Sequence, residues 1–189
     1  AEIVSSPQIV DTSFGSGAAG TRPVYDAQTN LAPMTFSQLA HWNLYNLEQR
    51  RGIRQIASAL RLLGRLNVDA LHKSIAEMLR RHDALRTRIV VRNATPVQEI
   101  TASADIVFGV DDLSAFPERL RETEVRRLID ATILEPVDVS TDCLFSVRLL
   151  RLRDEEHVLI VAMEHMISDA VSREILLRDL FTAYAQAAH

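Results

Sequence analysis

The sequence predicts an α+β or α/β fold, in which helices and strands mix within one compact domain. Apolar residues recur at helical spacing in four segments, and five other segments carry the short apolar or alternating runs of strands. These segments are interspersed along the chain, a pattern typical of layered domains that contain both element types. With 189 residues, 47% of them hydrophobic, the chain is long enough to bury a sizeable core, and no internal repeat divides it.

The first third of the chain is predicted to contain a linker, a helix and a strand. Residues 1–32 include Ser-Pro and Ser/Gly/Ala runs, whose small residues lose much entropy on ordering. We therefore expect a flexible N-terminal linker at 1–32 and the domain at 33–189. Thr35 or Ser37 is the expected N-cap of the helix, whose helically spaced apolar residues are Phe36, Leu39, Ala40, Leu44 and Leu47. Residues 55–62 alternate well enough for a half-buried strand.

The middle of the chain is predicted to form a helix followed by a pair of strands. Asn67 begins the helix, with Asp69 in its first turn and Arg80 in its last, both favourable to the helix dipole. Its apolar stripe is Val68, Leu71, Ile75, Met78 and Leu79. Residues 86–92 and 96–101 then predict two short strands around an Asn93-Ala94 turn.

The last third is predicted to hold a helix, two strands and a final helix. The helix covers residues 117–133, and the strands cover 144–152 and 157–165. The second strand is almost continuously aliphatic, which is typical of a strand buried on both faces. A helix from Asp169 to about residue 187 completes the chain.

His165 and Asp169 stand four residues apart where the buried strand gives way to the last helix. Groups at the carboxyl end of a strand often face a ligand crevice, which makes His165 the best candidate for a reactive group. A purely structural interpretation is also available, with Asp169 as a helix cap and His165 as a core histidine. Spacing alone favours the structural interpretation.

Three segments together resemble the first three signature motifs of the condensation domains of non-ribosomal peptide synthetases, in the chloramphenicol acetyltransferase-like superfamily. Residues 35–42 (TFSQLAHW) imperfectly resemble S-x-A-Q-x-R-L-W, and residues 81–89 (RHDALRTRI) closely match R-H-E-x-L-R-T-x-F. Residues 164–170 (EHMISDA) occupy the place of H-H-x-x-x-D-G. The order and separation of the motifs make the likeness specific, over roughly residues 33–189. It implies an α/β sandwich, a chloramphenicol acetyltransferase-like lobe with helices packed on a mixed central sheet.

The resemblance implies a catalytic role for His165, which corresponds to the second histidine of the third motif. Family members transfer an acyl or peptidyl group between thioesters held on the phosphopantetheine arms of donor and acceptor carrier proteins, and they form an amide bond. A neutral imidazole can take the amine proton or position the amine for attack. Asp169 is expected to organise the motif, with Arg86 or a residue of a second lobe as its partner. The domain itself is expected to bind no cofactor.

The chain departs from the third motif at two positions. Glu164 replaces the first histidine, and strand alternation places it on the face opposite His165, so the reactive imidazole need not be lost. Ala170 replaces the glycine and is tolerated if the backbone φ is negative there.

Condensation domains consist of two lobes, and only the first is present, so we expect an excised or naturally separate N-terminal lobe that is weak or inactive alone and requires the missing C-terminal lobe. An ester-forming acyltransferase and a degenerate, non-catalytic docking module remain alternatives.

Composition excludes several other classes of protein. A formal net charge of -4 provides no basic footprint for nucleic acid, and no apolar run approaches the roughly 20 residues of a membrane helix. The single cysteine, Cys143, is typical of a reducing compartment, so we expect a cytoplasmic protein. His165 and Asp169 lack a third ligand at recognisable spacing, so no metal site is expected.

Overall fold

The computed structural model describes residues 29–47, 55–103 and 106–188. Within these residues the helices are α1 (Phe36–Leu47), α2 (Val68–Arg81), α3 (Glu118–Leu134) and α4 (Ala170–Ala187). The strands are β1 (Leu31–Pro33), β2 (Gln55–Leu63), β3 (Thr87–Arg92), β4 (Thr95–Ile100), β5 (Val107–Asp112), β6 (Phe145–Arg153) and β7 (Glu156–Glu164). All four predicted helices and all five predicted strands are present, with their ends within one or two residues of the predicted positions.

The main sheet has four strands in the order β2-β7-β6-β5. It is mixed, as expected, because β5 runs parallel to β6 while the other pairs are antiparallel. Strand β7 lies inside the sheet and is buried along almost its whole length. Leu159 and Val161 belong to the cluster with α2 and α4, whereas Val158 and Ile160 belong to the cluster with α3. The sheet is therefore covered by helices on both faces, which explains the continuous aliphatic run of β7.

Helix α2 begins and packs as its sequence predicts. The side chain of Asn67 accepts a hydrogen bond from the backbone N–H of Ala70 at 3.0 Å, which satisfies one of the free donors at the helix start. Its buried face combines with α4 and the sheet in the largest core cluster, which is Leu71, Ile75, Met78, Leu79, Leu85, Phe145, Val147, Leu149, Leu159, Val161, Met163, Leu176 and Leu180.

A second, smaller sheet has the order β1-β4-β3 and is antiparallel throughout. The predicted Asn93-Ala94 turn joins β3 to β4, and both turn residues have positive φ, at 50° and 61°. Next to this sheet, α1 buries Tyr45 in a third cluster that also contains Ile89, Val139, Leu144 and Met166. This cluster brings α1 against the segment that follows β7.

Three expectations about the N-terminal half need correction. Residues 31 and 32, assigned to the linker 1–32, pair with β4 and so belong to a sheet, while residues 1–28 lie outside the described part of the chain. Strands β1 and β5 were not predicted, since β1 has only three residues and β5 only a short apolar run. The apolar residues that identified α1 are not its core face, because Phe36, Leu44 and Leu47 are exposed and Tyr45 is buried.

No helix among the described residues is both long and apolar enough to cross a membrane.

Candidate active site

The backbone around His165 is held in a tight turn at the end of β7. The N–H of Glu164 donates to the carbonyl of Leu144 at 2.9 Å, which continues the pairing to the last residue of the strand. The carbonyl of Glu164 then accepts two hydrogen bonds at 3.0 Å, from the N–H of Ile167 and the hydroxyl of Ser168. Residues 165–167 therefore form a turn whose position is determined by a buried strand.

Burial differs between neighbouring residues in this turn. Glu164 and Met166 are each only 3% exposed, whereas His165 between them is exposed. The carboxylate that replaces the first motif histidine is thus inside the lobe, and the imidazole of His165 faces outward, as strand alternation predicts. A core role for His165, the structural interpretation of the sequence, does not apply.

Asp169 caps helix α4. Its Oδ1 accepts hydrogen bonds from the backbone N–H and the hydroxyl of Ser172, both at 2.7 Å. The hydrogen bonds from Ser172 lower the pKa of Asp169, and the nearby charge of His165 contributes in the same direction. Ala170 follows as the first helical residue and is not among the described residues with positive φ, so a glycine is not required there.

The structure gives Arg86 partners other than Asp169. Its Nε donates to the carbonyl of Leu79 at 2.8 Å, and its two terminal nitrogens donate to the carbonyl of Thr101 and the carboxylate of Asp83. The expected Arg86–Asp169 pair is therefore not formed, since both side chains are engaged locally. Arg86 joins the end of α2 to the end of β4.

The second motif also connects α2 to α4. His82 caps the C-terminus of α2, and its Nε2 lies 3.3 Å from Oδ2 of Asp179 on α4. Together with the contacts of Arg86, this pair gives the motif a scaffolding role on the lobe.

The first motif anchors α1. The hydroxyl of Thr35 accepts from the N–H of Gln38 at 3.2 Å, and the side chain of Gln38 accepts from the N–H of Thr35 at 2.8 Å. This reciprocal arrangement is a capping box. Gln38 also donates to the side chain of Gln98 on β4 at 2.8 Å, which ties the helix start to the small sheet.

The other end of α1 is held by Tyr45. Its hydroxyl donates to the carbonyl of Val137 at 3.5 Å and accepts from the N–H of Val139 at 3.4 Å. Its ring stacks with that of Trp42, with centroids 6.0 Å apart. Helix α1 is therefore fixed against the loop that precedes β6.

His41 is the site residue that the sequence did not identify. Its ring lies against the ring of His165, with centroids 4.4 Å apart and planes inclined by 31°. A signal was present, because His41 stands where the pattern S-x-A-Q-x-R-L-W has its leucine, one residue before the tryptophan. The first and third motifs thus meet at two imidazoles.

The site is built for proton transfer or hydrogen bonding through imidazole. Among the described residues, no group of three or more His, Cys, Asp or Glu side chains could hold a metal ion. An exposed imidazole at a rigid strand end can accept a hydrogen bond or a proton from a bound nucleophile.

Comparison with known proteins identifies the class of lobe and then the family. The solved starter condensation domain of the rhizomide synthetase RzmA superimposes with a TM-score of 0.76 at 17% identity, over 82% of this chain and 38% of that one. The first condensation domain of the calcium-dependent antibiotic synthetase gives a TM-score of 0.72 at 20% identity, over 78% of this chain and 35% of that one. The lobe therefore has the chloramphenicol acetyltransferase-like fold.

Sequence similarity assigns the family. The profile described as "Condensation domain" matches residues 28–189, so the chain belongs to the condensation-domain family. It is 36% identical to a linear gramicidin synthase of Brevibacillus parabrevis over 80% of this chain, and 34% identical to phosphinothricin tripeptide synthetase PhsB of Streptomyces viridochromogenes over 89%. The chain spans only 3% and 14% of the lengths of these two relatives.

Proposed function

We propose that the chain is the N-terminal lobe of a condensation domain, in which His165 assists amide bond formation between two carrier-bound substrates. The observation that carries the proposal is the exposed imidazole of His165 at a strand end that the buried backbone of Glu164 holds in place. Membership of the condensation-domain family supports the reaction class, because that family forms peptide bonds.

The proposed reaction uses the imidazole at one step. The amine of the acceptor attacks the carbonyl carbon of the donor thioester, a C–N bond forms and the C–S bond breaks. The amine proton passes to a ring nitrogen of His165, and the donor thiolate leaves and is protonated. The phosphopantetheine arms that carry both thioesters belong to the donor and acceptor carrier proteins, not to this chain.

The burial of Glu164 supports activity in spite of the altered motif. A carboxylate inside the lobe, on the side away from the imidazole, leaves the open side of His165 to the substrates. Ala170, in an ordinary helical position, also leaves the turn undisturbed.

We further propose that a second lobe, absent from the chain, completes the site. The chain corresponds to 38% of the solved RzmA starter domain, which leaves ample length for another lobe. Three apolar residues on one side of α1 favour a covering partner, since Phe36, Leu44 and Leu47 are 94%, 41% and 78% exposed. We expect the isolated 189-residue chain to be weak or inactive, and unaided turnover would contradict this.

The test is His165→Ala in the intact parent polypeptide. Loss of a positioned acid or base costs about 10²–10⁴-fold in rate, so we expect condensation to fall at least ~100-fold. Carrier-protein affinity, measured by calorimetry, should stay unchanged. Unaltered product formation would favour the docking module instead, and product formed only with a hydroxyl acceptor would favour the ester-forming reaction.

A further inference from the structure

The ring of His41 lies against the ring of His165. The centroids are 4.4 Å apart and the planes are inclined by 31°, closer to stacked than to perpendicular. Aromatic ring pairs at such distances prefer offset or tilted stacking, and they hold each other in orientation. The contact joins α1 to the turn after β7, which are far apart in sequence.

Both partners of this contact are attached to buried structure. His41 precedes Trp42, which packs against the same cluster as Tyr45, and Tyr45 is only 2% exposed. His165 precedes Met166, which is 3% exposed and belongs to that cluster too. The two imidazoles are therefore brought together by one shared core, and their separation is set by the packing of α1 on the turn.

The geometry leaves the working edge of His165 available. The lone pair and the N–H of an imidazole lie in the plane of the ring, whereas a stacked neighbour covers its face. A ring on that face restricts rotation of the side chain without occupying the direction in which a substrate amine would be hydrogen-bonded. An exposed histidine without such a neighbour would sample several rotamers.

We propose that His41 is a positioning residue, whose flat ring holds the imidazole of His165 in the orientation that meets the acceptor amine. This inference rests on the proposed function, because it assigns to His41 a role exercised through His165. The ring, rather than the basicity of His41, provides the effect. An aromatic replacement should therefore substitute for it, and an aliphatic one should not.

The first test compares His41→Phe with His41→Leu in the intact parent polypeptide, with carriers charged with aminoacyl thioesters on which the wild-type protein turns over. An aromatic pair supports roughly a two- to tenfold effect, so His41→Leu should lower kcat by that factor with KM unchanged. His41→Phe should stay within about twofold of wild type. His72→Leu is the matched control, because His72 also stacks on a ring, that of Phe108 at 5.5 Å, away from His165.

Three kinetic outcomes decide the matter. Equal kcat for wild type and His41→Leu overturns the inference, and so does a His41→Phe variant as slow as His41→Leu. If His165→Ala is itself fully active, the proposed function fails and this inference fails with it. If His165→Ala is inactive while all His41 variants match wild type, only the positioning role fails.

The second test needs no substrate and uses the 189-residue chain. The ring protons of His165, assigned by NMR, should carry a ring-current shift that His41→Phe retains and His41→Leu removes. His41→Gln serves as a second ringless variant if His41→Leu fails to fold, as judged by its amide spectrum. Unchanged His165 ring shifts in a folded ringless variant would overturn the proposed contact.

Discussion

The anchoring of α1 by Tyr45 leads to a quantitative prediction. Tyr45 is the buried residue of this helix at 2% exposure, and truncation of a buried large aromatic side chain to alanine costs about 3–5 kcal/mol. In a protein of this size, each kcal/mol lowers Tm by about 2–4 °C, so Tyr45→Ala should melt on the order of 10 °C lower. His41 should separate from His165 in the same variant, because α1 loses its main packing contact.

Tyr45→Phe isolates the hydroxyl. Its two hydrogen bonds are long, at 3.4 and 3.5 Å, so their loss should cost only about 0.5–1 kcal/mol. Urea unfolding of both variants measures these costs, with Leu47→Ala as the control, since Leu47 lies on the same helix at 78% exposure. The reasoning is refuted if Tyr45→Ala costs less than about 1 kcal/mol, or no more than Leu47→Ala.

Two further predictions concern Arg86 and His157. Arg86→Ala should destabilise the chain by about 1.5–3 kcal/mol in urea unfolding, and Arg86→Lys should recover little of this, because an ammonium cannot reproduce the guanidinium fork. The exposed Arg65→Ala is the control, and equal effects at the two sites would contradict the scaffolding role. The pKa of His157 lies below its ordinary 6.5, because burial disfavours the imidazolium and Arg151 repels it. The unfolded chain therefore binds a proton before the folded chain does, so stability should fall as pH decreases from about 6.5 towards the lower native pKa. His157→Gln should reduce that pH dependence, and an identical slope in the variant would disprove it.

Much of the fold was predictable because its elements are recorded in local periodicity. The stripe of α2, its Asn67 cap and the aliphatic run of β7 are each set by residues that are neighbours in sequence. Strand β1 carries no such signal, since three residues become a strand only by pairing with β4. The exposed apolar residues of α1 misled for a related reason, because periodicity identifies a helix and cannot say which side meets the core.

The candidate site divides in the same way. By itself, the sequence determined that His165 follows a buried strand, that Asp169 stands at a helix start and that the motifs occur in a recognisable order. Only the tertiary structure decided that Arg86 holds α2 and β4 instead of pairing with Asp169, and that His41 meets His165. The physical reason is that a strand end or a helix cap depends on adjacent residues, whereas the partner of a side chain depends on how distant elements pack around a common core.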